Sequence, residues 1–192
     1  MFIEFIADRT THYLDRQYML GPSLLVAPAL VAENEETEYY LPAGKWTSLF
    51  DDSKIYEGPS WVKERVPLDL TPVWVRGGSI IVFGPAGVKR PDYALHKNLQ
   101  VKLYEIEDGF RERVEIPSGD GSRIAGSLLV ERHGYEIQLH IPYHIELAVI
   151  TLVSSLYSIE SATGGEVQGK DILVERKTVV IQLKEINMLK MM

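Results

Sequence analysis

Apolar and polar positions along this chain follow two different rhythms. Between Thr10 and Gly21, the residues Tyr13, Leu14, Gln17, Tyr18 and Leu20 keep a partial helical spacing. Thr10 or Thr11 can cap the start, because a side-chain oxygen satisfies the orphan N–H groups of a first turn. Gly21 can take the left-handed cap conformation and Pro22 forbids continuation. The spacing therefore predicts one helix over Thr10–Gly21. Leu24–Ala27 follows as a short, uniformly apolar run. Such a run suits a strand buried on both faces, as in a parallel sheet.

From Glu33 the pattern changes to short β-rich runs broken by Gly, Pro and Asp. Tyr39–Leu41, Lys45–Phe50, Trp61–Glu64, Val73–Val75 and Ser79–Phe83 are predicted strands. Pro42-Ala43-Gly44, Asp51-Asp52, Gly58-Pro59 and Gly77-Gly78 are the punctuation between them. Gly84–Tyr93 (GPAGVKRPDY) reads as a linker, assigned to residues 85–93. Beyond it, strands are predicted at Leu99–Glu105, Arg113–Ile116, Gly126–Glu131, Tyr135–Ile141, Ala148–Val153, Asp171–Glu175 and Thr178–Leu183. Glu136–Ile141 and Thr178–Leu183 alternate, which predicts one wet face. Ser118–Ser122 and Thr163–Gly165 read as turns.

Three segments carry a family resemblance. TTHYLDRQYMLGPSLLVAP within residues 10–28, YYLPAGKWTSLF at Tyr39–Phe50 and PVWVRGGSIIVFG at Pro72–Gly84 together resemble the C-terminal third of glycoside hydrolase family 31. That family holds the retaining α-glucosidases and α-xylosidases, and the wording is closest to the α-xylosidase branch. The resemblance covers most of residues 1–90 with specific motifs and is weak over 91–192. There Glu107-Asp108-Gly109 departs from the family's Asp-Asp-Gly turn. Helix followed by buried strand is what the last αβ unit of the family's catalytic barrel would look like. The expected fold class is thus mainly β: the end of a (β/α)8 barrel, one helix and one strand, followed by two antiparallel β-sandwich domains. The expected division is residues 1–32 as the barrel remnant and 33–84 as the proximal C-terminal β-domain. Residues 85–93 are the expected linker and 94–192 the distal β-sandwich.

Composition narrows the chemistry. The chain has 192 residues, 45 % hydrophobic and 24 % charged, which is ordinary for a globular protein. Net charge is −7, and neither half is basic: residues 1–90 carry 9 basic and 12 acidic residues, and 91–192 carry 11 and 15. A surface that tracks phosphates is therefore not expected, and nucleic acid is not an expected partner. Cysteine is absent, which removes disulfides, thiolate metal sites and cysteine nucleophiles. Met1–Ala7 is apolar but lacks a basic leading region, so it does not read as a signal peptide. Apolar stretches such as Leu24–Ala32 are far short of the ~20 residues that span a bilayer, so no membrane is expected. These features leave the compartment open.

The family implies two Asp carboxylates about 5–5.5 Å apart, one a nucleophile and one an acid/base. Both belong to earlier barrel strands, and the nucleophile's Trp-x-Asp-Met-Asn-Glu type setting does not occur in this sequence. No catalytic, substrate-binding or metal-ligating residue is assigned. Asp8 and Asp15 are the tempting substitutes, with capping or ion pairing as their plainer role. Asp51-Asp52 and Glu107-Asp108-Gly109 read as turns. The acidic run of Glu33, Glu35, Glu36 and Glu38 reads as a solvated loop. His140 and His144 are four apart, but Pro142 keeps them off a shared helical face. Ser23, Ser79, Ser154 and Ser155 lack a nucleophile elbow. Gly119–Gly121 has no following helix to make a phosphate loop. Trp46, Trp61 and Trp74 suit either sandwich cores or stacking on sugar rings.

The resemblance implies a non-catalytic C-terminal region of an α-glycosidase that releases α-linked xylose or glucose from non-reducing ends. It would support the barrel and be inactive alone, with no cofactor. The expected partner is the catalytic barrel of the full-length enzyme, with self-association through residues 1–32 when that partner is absent. The alternatives are a stand-alone carbohydrate-binding β-sandwich module or an interaction domain.

Overall fold

A computed structural model describes residues 1–32, 35–85, 87–88, 94, 96–118 and 122–186. Among these the chain is almost entirely β, in three five-stranded sheets, and divides into two compact units, Met1–Ser79 and Ile80–Met192. The linker expected at 85–93 lies largely outside the described residues, as does the Gly119–Gly121 turn.

The first unit is a single sheet built from β1 (Tyr18–Leu20), β2 (Leu24–Val26), β3 (Glu36–Ser48), β4 (Ile55–Arg65) and β5 (Val73–Arg76). Their order is β1-β2-β5-β3-β4 and every pairing is antiparallel. Leu25, Ala27, Tyr39, Leu41, Trp46, Val62 and Trp74 form its core, with Met1, Phe5 and Met19 packed against them.

Two expectations for residues 1–32 are corrected here. The helix over Thr10–Gly21 is instead a short 3-10 turn, Arg9–Tyr13, followed by β1. Its cap is Asp8, whose carboxylate accepts from the Thr10 N–H at 3.0 Å. The backbone leaves helical geometry at Leu14. Thr, His and Tyr are weak helix formers, so tertiary pairing overrides a partial apolar spacing. Gly21 does adopt positive φ, +65°, but it turns β1 into β2 rather than capping a helix. Leu25, Val26 and Ala27 are buried as expected and Leu24 is half-buried, yet β2 lies between two antiparallel neighbours, not in a parallel barrel sheet. No barrel portion is evident among the described residues.

The punctuation of β3 and β4 also has a different meaning. Pro42-Ala43-Gly44 and Gly58-Pro59 do not end strands; both lie inside them. The register jumps from Leu41↔Ser60 to Gly44↔Gly58, so two residues of β3 face one of β4. That is a bulge, and it places both prolines where no ladder donor is needed. Gly58 is required there: a Cβ would come 1.9 Å from the Pro42 carbonyl oxygen. The same oxygen accepts from the Trp46 indole N–H at 2.7 Å. The proximal region is therefore one bulged sheet and not a sandwich.

The second unit is a sandwich. One sheet holds β8 (Arg111–Pro117), β9 (Ile124–His133), β10 (Glu136–His140), β12 (Tyr157–Thr163) and β15 (Thr178–Glu185), in the order β12-β15-β10-β9-β8. The other holds β6 (Ser79–Phe83), β7 (Leu99–Tyr104), β11 (Leu147–Val153), β13 (Gly165–Gln168) and β14 (Asp171–Val174), in the order β13-β14-β11-β7-β6. One core joins them: Val101, Leu103, Ile150 and Ile172 from one sheet meet Leu128, Val130, Ile137, Leu139, Val179 and Ile181 from the other. Alternation in β10 and β15 points Ile137, Leu139, Val179, Ile181 and Leu183 inward, as the period-two pattern requires. The unit is not wholly antiparallel, because β7 and β11 run parallel.

Candidate functional site

The first unit contains a cleft of about 340 Å³, enclosed by the segment from Tyr13 to Gln17, residues 28–31, the start of β3 and Trp61. Two of its lining residues, Gln17 and Trp61, are held in place by Tyr40 of β3. The Gln17 amide hydrogen-bonds both backbone groups of Tyr40. The Tyr40 hydroxyl donates to the Asp8 carboxylate at 2.7 Å. Its ring lies 5.3 Å from the ring of Trp61, its cross-strand partner on the edge strand β4. Burial first, and the Asp8 carboxylate second, raise the Tyr40 phenol above its ordinary value. Asp8 and Gln17 thereby pin the N-terminal segment to β3.

A second cluster sits beside Trp74. Glu64 accepts from both the Tyr39 hydroxyl and the Lys54 ammonium. The Lys54 nitrogen stands 5.4 Å from the Trp74 ring centre, and the Tyr56 ring packs on that indole at 5.1 Å. Burial, and then the Glu64 carboxylate, push the Tyr39 phenol far up. Glu64 is occupied by two donors, so this cluster braces the sheet and offers no free base.

The structure scatters the acidic residues singled out in the sequence. Asp8 caps a turn and Asp15 lines the cleft. Asp51 makes the expected local turn, accepting from the Ser53 N–H at 3.0 Å and its hydroxyl at 2.6 Å. Asp108 also turns the chain, accepting from the Gly109 N–H at 2.9 Å, and reaches further to the Gly134 N–H at 2.6 Å. These backbone bonds, Gly134 foremost, hold its carboxyl below the usual range. Glu35, Glu36 and Glu38 are exposed, with Glu36 3.4 Å from Lys63; Glu33 lies outside the described residues. His144 packs its ring nitrogen on the Ala125 carbonyl. Ser154 and Ser155 are engaged by Glu105. No group of three His, Asp or Glu able to hold a metal occurs among the described residues. Trp46 and Trp74 are core residues, whereas Trp61 is 54 % exposed.

Two centres escaped sequence reading. One is the Gln17–Tyr40 pair, which a single polar residue in an apolar stretch only faintly signals. The other is Arg132, a buried residue in β9. Its Nε donates to the Gly134 carbonyl at 2.9 Å, one terminal nitrogen donates to Ile106, and the guanidinium lies 4.2 Å from the Tyr157 ring centre.

Comparison with known proteins gives a consistent answer. Residues 1–81 match the glycosyl hydrolase family 31 C-terminal domain, and residues 92–184 match the C-terminal domain of alpha-xylosidase YicI. The α-xylosidase XylQ of Lactiplantibacillus pentosus is 42 % identical over 113 residues, covering 57 % of this chain and 14 % of that protein. Bovine lysosomal α-glucosidase is 34 % identical over 119 residues, covering 54 % of this chain and 13 % of its own length. The chain thus spans about one seventh of these relatives. Among solved structures, a Flavobacterium johnsoniae family 31 dextranase superposes with a TM-score of 0.74 at 17 % identity, over 94 % of this chain and 28 % of that one. The Xanthomonas citri family 31 α-xylosidase gives 0.66 at 21 % identity, over 96 % and 21 %. These superpositions show a shared fold.

Proposed function

This chain belongs to the C-terminal region of glycoside hydrolase family 31, and we propose on that basis that it is the non-catalytic β-rich support of an α-glycosidase. The parent reaction is hydrolysis of α-linked xylose or glucose from non-reducing ends, by the two-carboxylate route. In the family's order, the unit Met1–Ser79 corresponds to the proximal domain and the unit Ile80–Met192 to the distal domain.

One observation carries the supporting role. The N-terminal segment is stapled to β3 by Asp8 and Gln17, yet Phe2, Ile3, Ile6 and Leu20 remain exposed. Large apolar side chains left in water on a segment held by hydrogen bonds favour cover by another surface. The remainder of a much longer family enzyme is the partner this reading supplies. Without that cover, the same residues drive self-association through 1–32.

The test is a chimaera in which this chain replaces the corresponding region of an α-xylosidase of the family. Retained solubility and α-xylosidase turnover support the role. Loss of turnover in a soluble, folded chimaera whose junction residues are native to the host contradicts it.

A further inference from the structure

We infer that the cleft between the Tyr13–Gln17 segment and Trp61 is a carbohydrate-binding subsite, separate from the supporting role. A pyranose ring is amphipathic. Its C–H face seeks a flat aromatic surface, and its hydroxyls seek charged donors and acceptors around that surface. The cleft supplies both. Trp61 projects from edge strand β4 and is half exposed, whereas the other two indoles are buried in the core. Its ring is braced by Tyr40, itself fixed through its N–H, its C=O and its hydroxyl. A stacking platform held this firmly loses little freedom when a ligand arrives. Tyr13, 86 % exposed, adds a second ring to the lining. Asp15, Arg16, Glu36 and Glu38 line the same space.

The lining also argues against cover by an apolar protein surface. Four charged side chains would have to be desolvated under such a partner, at a cost that a small hydroxylated ligand avoids by hydrogen bonding to them. The volume, about 340 Å³, falls at the small end of ligand sites, roughly 300–1,000 Å³. It suits a short oligosaccharide end better than a long chain. Its openness to water implies weak binding, with a dissociation constant on the order of 1 mM.

The experiment titrates the 192-residue chain with isomaltotriose and, separately, with xylose, read by tryptophan fluorescence and by saturation-transfer NMR. Glycerol is the polyol control. Saturable binding of at least one sugar, with no response to glycerol, is expected. Trp61→Ala should weaken it about fivefold, and Tyr13→Ala several-fold, given stacking energies near 1 kcal/mol. Tyr13 is too exposed for its removal to unfold the sheet, so that variant decides the matter if Trp61→Ala folds poorly. Absence of saturable binding by either sugar overturns the inference. So does binding that both Tyr13→Ala and Arg16→Ala leave unchanged.

Discussion

The side-chain amide of Gln17 completes the hydrogen bonding of the Tyr40 backbone: its Oε1 accepts from the Tyr40 N–H at 2.8 Å, and its Nε2 donates to the Tyr40 carbonyl at 2.7 Å. The pairing of β3 with β5 extends only over Trp46–Ser48. At Tyr40 that flank of β3 has no neighbouring strand among the described residues, and the amide stands in for one. A Gln side chain offers the same donor and acceptor as a peptide group. The contact makes the N-terminal segment an integral part of the first unit.

Gln17→Ala therefore leaves a buried N–H and a buried C=O unpaired. It should lower stability by about 1–3 kcal/mol. Urea unfolding followed by tryptophan fluorescence reads this well, because Trp46, Trp61 and Trp74 all lie in the first unit. An unchanged midpoint would mean that the segment is not stapled to β3.

Arg132→Ala should destabilise the second unit, by about 1–3 kcal/mol for each carbonyl left without its donor. The carbonyls are those of Gly134 and Ile106. Lysine should rescue little. One ammonium cannot reproduce the fork to two carbonyls, and it lacks the flat face that lies over Tyr157. Thermal melting followed by circular dichroism checks both variants. Full rescue by Arg132→Lys would show that charge alone matters there.

Alkaline pH should loosen the first unit through Tyr39. An unfolded tyrosine titrates near pH 10. Burial, followed by the Glu64 carboxylate, raises the folded value well above that. The folded chain thus keeps the proton where the unfolded chain releases it. The stability so gained is complete below about pH 10 and is lost as pH rises beyond it toward the folded value. Tyr40 and Tyr135 are shifted in the same direction, by burial and by the Glu185 hydrogen bond respectively. Tyr39→Phe should flatten the alkaline limb of the stability profile. An identical limb in that variant would refute the assignment.

The β character of the chain was legible wherever strands alternate. EIQLHI and TVVIQL place Ile137, Leu139, Val179, Ile181 and Leu183 inward, and each is buried. The strands Tyr157–Thr163 and Gly165–Gln168 were not legible, because small and polar residues dilute their alternation. Pro42 and Pro59 misled for a specific reason: a bulge lets proline lie within a strand, and it depends on a register between distant residues. The segment after Thr10 misled because the partner that decides its form, Tyr40, is 23 residues past Gln17. Of the cleft, Trp61, Asp15, Glu36 and Glu38 were visible in advance, but not that they meet, and the exposure of Trp61 follows from a place on an edge strand that no local pattern reveals.

We propose that this chain supports catalysis without performing it. Hydrolysis of p-nitrophenyl α-xyloside and α-glucoside by the purified chain tests that directly. No release of p-nitrophenol above the uncatalysed rate is the expected result, since nucleophile and acid both belong to barrel strands in the family. Turnover that persists through repurification and is abolished by one substitution, for example Asp8→Asn or Asp15→Asn, would contradict the account.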